Sequence, residues 1–198
     1  MPPRPVITIA LALLGTLAVP GCTALQELAA LRTVSFEFAS VSDVRLVGIP
    51  IGAGSSFSRL GMADAARLAA AVVSNQVPIE LVAHLNATNP PENRVTARLV
   101  ALGWTLFVEE RQALAGGLGS PVAIAPGVTT DVPLQVRFDL LELGSGGARD
   151  LFDLALGIAG QGTVTKDLRL ELVPTIETSL GAIRFPAPVV VRRGTGSR

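Results

Sequence analysis

Residues 79–88 read Ile-Glu-Leu-Val-Ala-His-Leu-Asn-Ala-Thr, and their pattern is the clearest indication of the fold. Every second position is apolar from Ile79 to Ala87, and polar side chains such as His84 occupy most of the positions between them. Successive side chains of a strand point to opposite faces, so this period of two predicts a strand with one buried and one solvated face. Residues 128–138 repeat the pattern, and the proline at position 133 favours an edge strand or a bulge.

Further alternating runs lie on both sides of these two strands. Phe36 and Phe38 alternate with polar residues, as do Val44 and Leu46, and residues 39–42 interrupt this alternation, which predicts a bulge or bend there. Later runs cover residues 100–108, 168–172 and 183–191. Six or more short strands separated by turn residues predict a mainly β fold, an antiparallel β-sandwich of the fibronectin III or immunoglobulin type.

Two segments follow a helical period instead. Residues 58–75 are predicted to form an inserted helix, and residues 149–158 a second, short helix. The predicted buried stripe of the first helix comprises Leu60, Ala65, Leu68, Ala69, Val72 and Val73. We expect this stripe to pack on the sandwich, and contact with a partner or with lipid is the alternative. The sandwich domain is predicted to cover residues 34–193, followed by a disordered tail at 194–198.

The first 21 residues have the order of features that is typical of a secretory signal peptide. Arg4 supplies a positive charge, residues 6–19 form an uncharged apolar run, and Val19-Pro20-Gly21-Cys22 follows it. A transmembrane helix needs about 20 apolar residues, so this shorter run indicates secretion. The last four residues resemble the lipobox of bacterial lipoproteins, which implies cleavage before Cys22 and attachment of acyl chains, palmitate among them, at that residue.

Cys22 is the only cysteine, so the chain cannot form an intramolecular disulfide, and lipidation accounts for its thiol. Residues 22–33 are then a tether between the membrane and the domain. By resemblance to sorting in Gram-negative bacteria, the lack of Asp after Cys22 favours the outer membrane, with the domain facing the periplasm. The predicted location is therefore the cell envelope, and the predicted partner is the membrane, through the lipid on Cys22.

The charge balance argues against one class of partner. The chain has 16 Lys and Arg residues and 16 Asp and Glu residues, for a formal net charge of 0. Proteins that bind nucleic acid usually concentrate basic residues on one surface, so we expect no nucleic-acid partner. An envelope protein or a lipid remains open as a partner, and the sequence leaves the oligomeric state open as well.

Several segments, taken together, resemble a known family. In order, they are the strand at 79–88 followed by Asn89-Pro90, the strand around Trp104, Leu114-Ala115-Gly116, Ile124-Ala125-Pro126-Gly127 before residues 129–134, and the closing segments 168–173 and 180–186. This series is similar to the group 2 late embryogenesis abundant (LEA) proteins, whose module is also called the water-stress and hypersensitive-response (WHy) domain. The resemblance covers about residues 34–191. It implies a fibronectin-like sandwich, an association with desiccation or stress, and no agreed reaction.

The sequence indicates no catalytic, cofactor or metal site. His84 is the only histidine, and its strand phase predicts a solvated surface residue on the polar face rather than a general base or a metal ligand. A Ser-His-Asp triad would have to recruit it, with Ser74 or Asp139 as the partners that could be invoked. We expect a non-enzymatic domain in which His84→Ala leaves both the stability and the biological role intact.

Three other features have structural interpretations. Glu109-Glu110 is expected to be a solvated turn rather than part of a metal site. Residues 116–119, Gly-Gly-Leu-Gly, lack the Lys-Ser/Thr and the strand–helix context of a phosphate loop and are expected to form a hairpin turn. Trp104 has the same phase as Leu102 and Leu106, so we expect it to lie in the core.

Two functional hypotheses follow from these observations. The first is a non-catalytic, lipid-anchored envelope protein whose stress-associated sandwich protects or binds other molecules. The alternative is a carrier that holds a lipid or another apolar ligand between the sheets or under the helix.

Overall fold

The computed structural model describes residues 33–108, 110–143, 146–161, 168–178 and 181–192. The predicted signal peptide, Cys22 and the predicted tail lie outside the described residues. The strands are β1 Ser35–Leu46, β2 Ile49–Pro50, β3 Pro78–Thr88, β4 Ala97–Val108, β5 Arg111–Gly117, β6 Val122–Ile124, β7 Thr129–Asp139, β8 Leu168–Thr178, β9 Gly181–Arg184 and β10 Val189–Arg192. The α-helices are α1 Met62–Val73 and α2 Ala148–Ile158, with short 3-10 turns at Phe57–Arg59 and Leu140–Glu142.

The strands form two antiparallel sheets, which confirms the predicted mainly β sandwich with helices. One sheet has the order β2-β1-β3-β7, so the proline-containing strand β7 lies at an edge, as Pro133 predicts. The other sheet has the order β10-β8-β4-β5, with β6 paired to β4 and β9 paired to β8. The apolar faces of the two sheets enclose one part of the core, and the two helices cover a second part at the Leu46 end of β1.

Strand β1 changes phase through two irregularities in its pairing with β3. Phe38 pairs with Leu85 while Ser40 pairs with His84, so Ala39 is an extra residue on β1. A second shift separates Ser42 from Arg45, and within it Asp43 has a φ of 51°. Each extra residue reverses the inward and outward positions that follow it. The predicted bend near residues 39–42 is therefore confirmed, and it extends a few residues further.

Helix α1 is shorter than the sequence predicts. It begins at Met62, since Leu60 and Gly61 before it are extended. It ends at Val73, because Asn75 takes a left-handed conformation with a φ of 51° and the Gln76 N–H donates to the Ala71 carbonyl. This is the hydrogen-bond pattern that terminates helices in a Schellman motif.

The predicted buried stripe of α1 was partly wrong. Leu68 and Ala71 are buried and Val72 is half-buried, whereas Ala69 is exposed and the Val73 side chain is 84% exposed. Neighbouring residues on a helix lie about 100° apart, so Ala69 and Val73 cannot share the face of Leu68 and Val72. Helix α2 agrees with its prediction within one residue, and Phe152 from it packs edge-to-face on Phe57 at 5.9 Å between ring centroids. No helix among the described ranges is both long enough and apolar enough to span a membrane.

Candidate functional site

Three polar side chains from adjacent strands meet on the outer face of the β2-β1-β3-β7 sheet. His84 lies on β3 opposite Ser40 of β1 and Pro133 of β7. Ser42 lies two positions after Ser40 on β1 and Asp131 lies two positions before Pro133 on β7, so they are the diagonal neighbours of His84 on either side. Side chains at diagonal positions of a sheet are within reach of a long or aromatic residue, which explains why the imidazole contacts both.

The hydrogen bonds among these residues have the connectivity of a Ser-His-Asp triad. Ser42 Oγ lies 2.8 Å from His84 Nε2, and His84 Nδ1 lies 2.9 Å from Asp131 Oδ2 and 3.0 Å from Oδ1. A neutral imidazole with its proton on Nδ1 would donate to Asp131 and accept from the Ser42 hydroxyl. An imidazolium would donate to both neighbours, and the Ser42 hydroxyl would then donate to Asp43 Oδ2 at 3.3 Å.

The surroundings of this array differ from those of a serine hydrolase. The Asp131 side chain is 53% exposed and the His84 side chain is 24% exposed, whereas the aspartate of a hydrolase triad is buried. Water at an exposed carboxylate screens its interaction with an imidazolium that forms during catalysis. The imidazole of His84 can accept the proton of the Ser42 hydroxyl, but both groups lie on an open sheet surface.

The array belongs to a series of polar contacts that join β3 to β7 at every fourth residue of β3. Glu80 forms an ion pair with Arg137 at 3.0 Å, and the hydroxyls of Thr88 and Thr129 lie 2.8 Å apart. His84 stands midway and adds a contact to β1 through Ser42. Its arrangement is thus that of a cross-strand clasp over three strands.

His84 lies on the outer, polar face that its strand phase predicts. Neither partner considered from the sequence contacts it, since Ser74 donates to the Ala71 carbonyl at 3.0 Å and Asp139 accepts from the backbone N–H groups of Val77 and Leu141. Ser42 and Asp131 were missed because their proximity depends on the pairing register of three strands. The outward phase of His84 and Asp131 can be read from the sequence, whereas Ser42 reaches the outer face only because the extra residue Ala39 shifts the register of β1.

A buried polar network lies at the other end of β3. Asn89 is fully buried, and its side-chain amide donates to the Val95 carbonyl at 3.1 Å and to the Ile124 carbonyl at 2.9 Å. Asn93 donates to Asn89 Oδ1 at 2.6 Å and to Thr33 Oγ1 at 2.8 Å. The network therefore fixes the β3–β4 loop, the end of β6 and the first described residue of the chain to one another.

Trp104 is buried between the sheets, which confirms its predicted place in the core. Its indole lies over Gly116, its direct cross-strand partner, where a Cβ atom would come within 2.3 Å of the ring. The hairpin turn predicted for residues 116–119 was therefore wrong in part, because Gly116 and Gly117 belong to strand β5. The glycine at position 116 leaves room for the indole.

The turn after β4 carries an ion-pair cluster. Glu110 has a φ of 65° and accepts a hydrogen bond from Arg169 at 3.1 Å. The same guanidinium pairs with Glu171 and lies 4.0 Å from the centroid of the Phe107 ring. Glu110 is thus at a turn, as predicted, and it binds an arginine, while Glu109 lies outside the described residues. Within the described ranges, no three His, Cys, Asp or Glu residues are grouped so as to hold a metal ion.

An apolar pocket lies between the sheets, beside the start of β1. Its lining consists of Val34, Phe36, Ala97, Leu99, Ile124, Pro174, Ile176 and Phe185. Its solvent-accessible volume is about 10 Å³, which is the space of about one water molecule. In this conformation the pocket has no room for an acyl chain.

The chain has structural neighbours among solved proteins, and its sequence matches no known family. No family model matches the chain, and no curated protein matches it. A protein from Archaeoglobus fulgidus is 16% identical with a TM-score of 0.37, over 81% of this chain and 99% of that one. A candidate LEA protein is 15% identical with a TM-score of 0.40, over 84% and 72% of the two chains. A protein from Arabidopsis thaliana is 16% identical with a TM-score of 0.39, over 81% of both. Likeness at this level carries no argument about function.

Proposed function

We propose that this chain is a non-catalytic, lipid-anchored protein of the cell envelope, and that its stress-associated β-sandwich protects or binds other envelope molecules. The proposal rests above all on one observation. The single cysteine, Cys22, lies three residues after the end of a charge-free apolar run and precedes the first strand by only 13 residues. This order supports an acylated residue at the start of a short tether to a folded domain, and the domain would face the periplasm if the membrane is an outer membrane.

The anchor would be effectively stable. Each buried CH₂ of an acyl chain contributes about 0.8 kcal/mol, so one chain binds only marginally and several chains on one cysteine hold a domain at the membrane. A folded domain at the end of such an anchor acts only on what lies within reach of the surface.

The exposure of the Ser42–His84–Asp131 array supports the non-catalytic part of the proposal. Catalysis by a serine needs a preorganised site that excludes water and donors that stabilise the oxyanion. The array lies on an open sheet face with a half-exposed carboxylate, and its contacts join strands. The alternative, a lipid carrier, gains no support from the apolar pocket, which has the space of one water.

The anchor is tested by expressing the wild-type chain, Cys22→Ala and the control Thr23→Ala in a bacterial host. We expect wild type and Thr23→Ala to partition into detergent with a cleaved, acylated N-terminus in mass spectrometry, and Cys22→Ala to lose both properties. If Cys22→Ala and wild type stay equally in the membrane fraction through an uncleaved leader, the lipid-anchor proposal is wrong.

A further inference from the structure

We infer that one end of the sandwich docks on the bilayer that holds the Cys22 lipid, an inference that rests on the anchor proposed above. The docking surface is the tether-end rim, defined as Thr33, the β3–β4 loop at residues 89–96 and the β6–β7 turn at residues 125–128. These segments come together because Thr88 of β3 pairs with both Ser35 at the start of β1 and Thr129 at the start of β7.

The rim is tied together by hydrogen bonds. The Asn89 N–H donates to the Val128 carbonyl at 3.1 Å, and the Gly127 N–H donates to the Asn89 carbonyl at 2.8 Å. The contact between Asn93 and Thr33 attaches the start of the domain to the same loop. The tether therefore joins the domain within the rim itself.

The length of the tether opposes the inverted orientation. From Cys22 to Thr33 the chain advances eleven residues, which can reach at most about 40 Å when fully extended. Strand β1 has 12 residues, and at about 3.3 Å each it is about 40 Å long. Both helices pack around the far end of β1, beside Leu46. Placing the helices on the membrane would use the whole tether at its maximal extension.

The chemistry of the rim fits the interface of a bilayer. Val128 is an exposed apolar side chain, 44% accessible, and Pro91 is exposed beside the turn. The Gly127 backbone packs close to Pro91, since a Cβ added to this glycine would lie 3.5 Å from the Pro91 Cβ. Arg94 is balanced within the loop by Glu92, so we expect contact driven by the anchor and by apolar insertion, with little dependence on anionic lipid.

The test uses the lipidated full chain, in which Cys22 is the only native cysteine and is blocked by its acyl chains. Val128→Cys and Glu92→Cys place a thiol-reactive fluorophore on the rim, and Met62→Cys, at a side chain that is 90% exposed, places it on α1 at the far end. Each protein is reconstituted on phosphatidylcholine vesicles that contain nitroxide-labelled headgroups. We expect quenching at positions 128 and 92 to exceed quenching at position 62 by several-fold.

Intact-mass measurement of each sample separates the two proposals. An acylated protein with equal quenching at the three positions, or with stronger quenching at position 62, overturns the docking surface and leaves the anchor standing. A protein without acyl chains overturns both. Thermal melting of the three labelled variants close to that of wild type confirms that the comparison concerns folded domains.

Discussion

At the scale of single residues, the sandwich depends on two positions where ordinary side chains would not fit. Gly116 is a strand glycine, a residue type that is normally unfavourable in a strand because it adds no packing. Here the indole of Trp104 fills the space that a side chain would take. Asn89 is a buried amide whose two donors and acceptor are all hydrogen-bonded, which offsets the cost of burying it.

We predict that Gly116→Ala destabilises the domain by about 1–3 kcal/mol, because the new methyl group collides with a rigid, buried ring. Gly117→Ala is the matched control, since its Cβ would come no closer than 3.8 Å to the Leu102 carbonyl oxygen. Urea denaturation of the two variants measures the difference. Equal midpoints for both would show that Trp104 does not pack over Gly116.

We predict that Asn89→Ala lowers the free energy of unfolding by about 2 kcal/mol or more, because it removes the amide donors to the Val95 and Ile124 carbonyls and the acceptor of one Asn93 hydrogen bond. Asn89→Asp should cost still more, since its carboxylate would face the carbonyl oxygens of Val95 and Ile124. Gln135→Glu makes the same chemical change on the exposed face of β7 and should be close to neutral. Chemical denaturation distinguishes the three, and a neutral Asn89→Asp would contradict the buried network.

At the scale of elements, β3 is the strand that organises the first sheet. Its inward residues form the core, and its outward residues Glu80, His84 and Thr88 each contact β7. His84 also reaches β1 just before the second irregularity of that strand, where two β1 residues lie opposite one β3 residue. A side chain that spans three strands beside a bulge helps to hold their register.

We predict that Ser42→Ala and His84→Ala each destabilise the domain by about 0.5–1.5 kcal/mol through lost hydrogen bonds. Ser40→Ala, on the same face and directly opposite His84, is the control and should be near neutral. The sequence alone led us to expect a neutral His84→Ala, and the contacts with Ser42 and Asp131 change that expectation. Thermal and urea unfolding measure the three variants.

The same array gives the sharpest test of catalysis. We expect a fluorophosphonate probe, which reacts with activated serines, to leave Ser42 unlabelled in the folded domain. Labelling of the Ser42 peptide that disappears in His84→Ala but persists in Ser40→Ala would show a nucleophilic serine. That result would replace the clasp with an active site and overturn the non-catalytic proposal.

At the scale of the whole molecule, the domain has two unlike ends. The helices α1 and α2 pack around one end of the sandwich, and the chain enters from the tether at the other. A lipid on Cys22 would hold the tether end near the membrane and project the helical end outward. The exposed side of α1, which includes Met62 and Val73, then faces away from the bilayer.

Features that depend on local periodicity could be predicted from the amino-acid sequence. Alternation with a period of two identified the long strands and the sandwich, its interruption at residues 39–42 identified the irregularity in β1, and Pro133 indicated the edge position of β7. The phase of Trp104 placed it in the core. These inferences hold because a strand assigns each side chain to a face by its position alone.

The contacts between outward residues, and the need for a small residue at position 116, follow from the three-dimensional packing. Ser42, His84 and Asp131 lie far apart in sequence, and their contact depends on the register of two strand pairs and on two bulges. The left-handed Asn75 ended α1 before the predicted end at residue 75. The need for glycine at position 116 is explained only by the Trp104 ring above it. Register and packing are set by contacts between distant segments, so a pattern within any one segment cannot specify them.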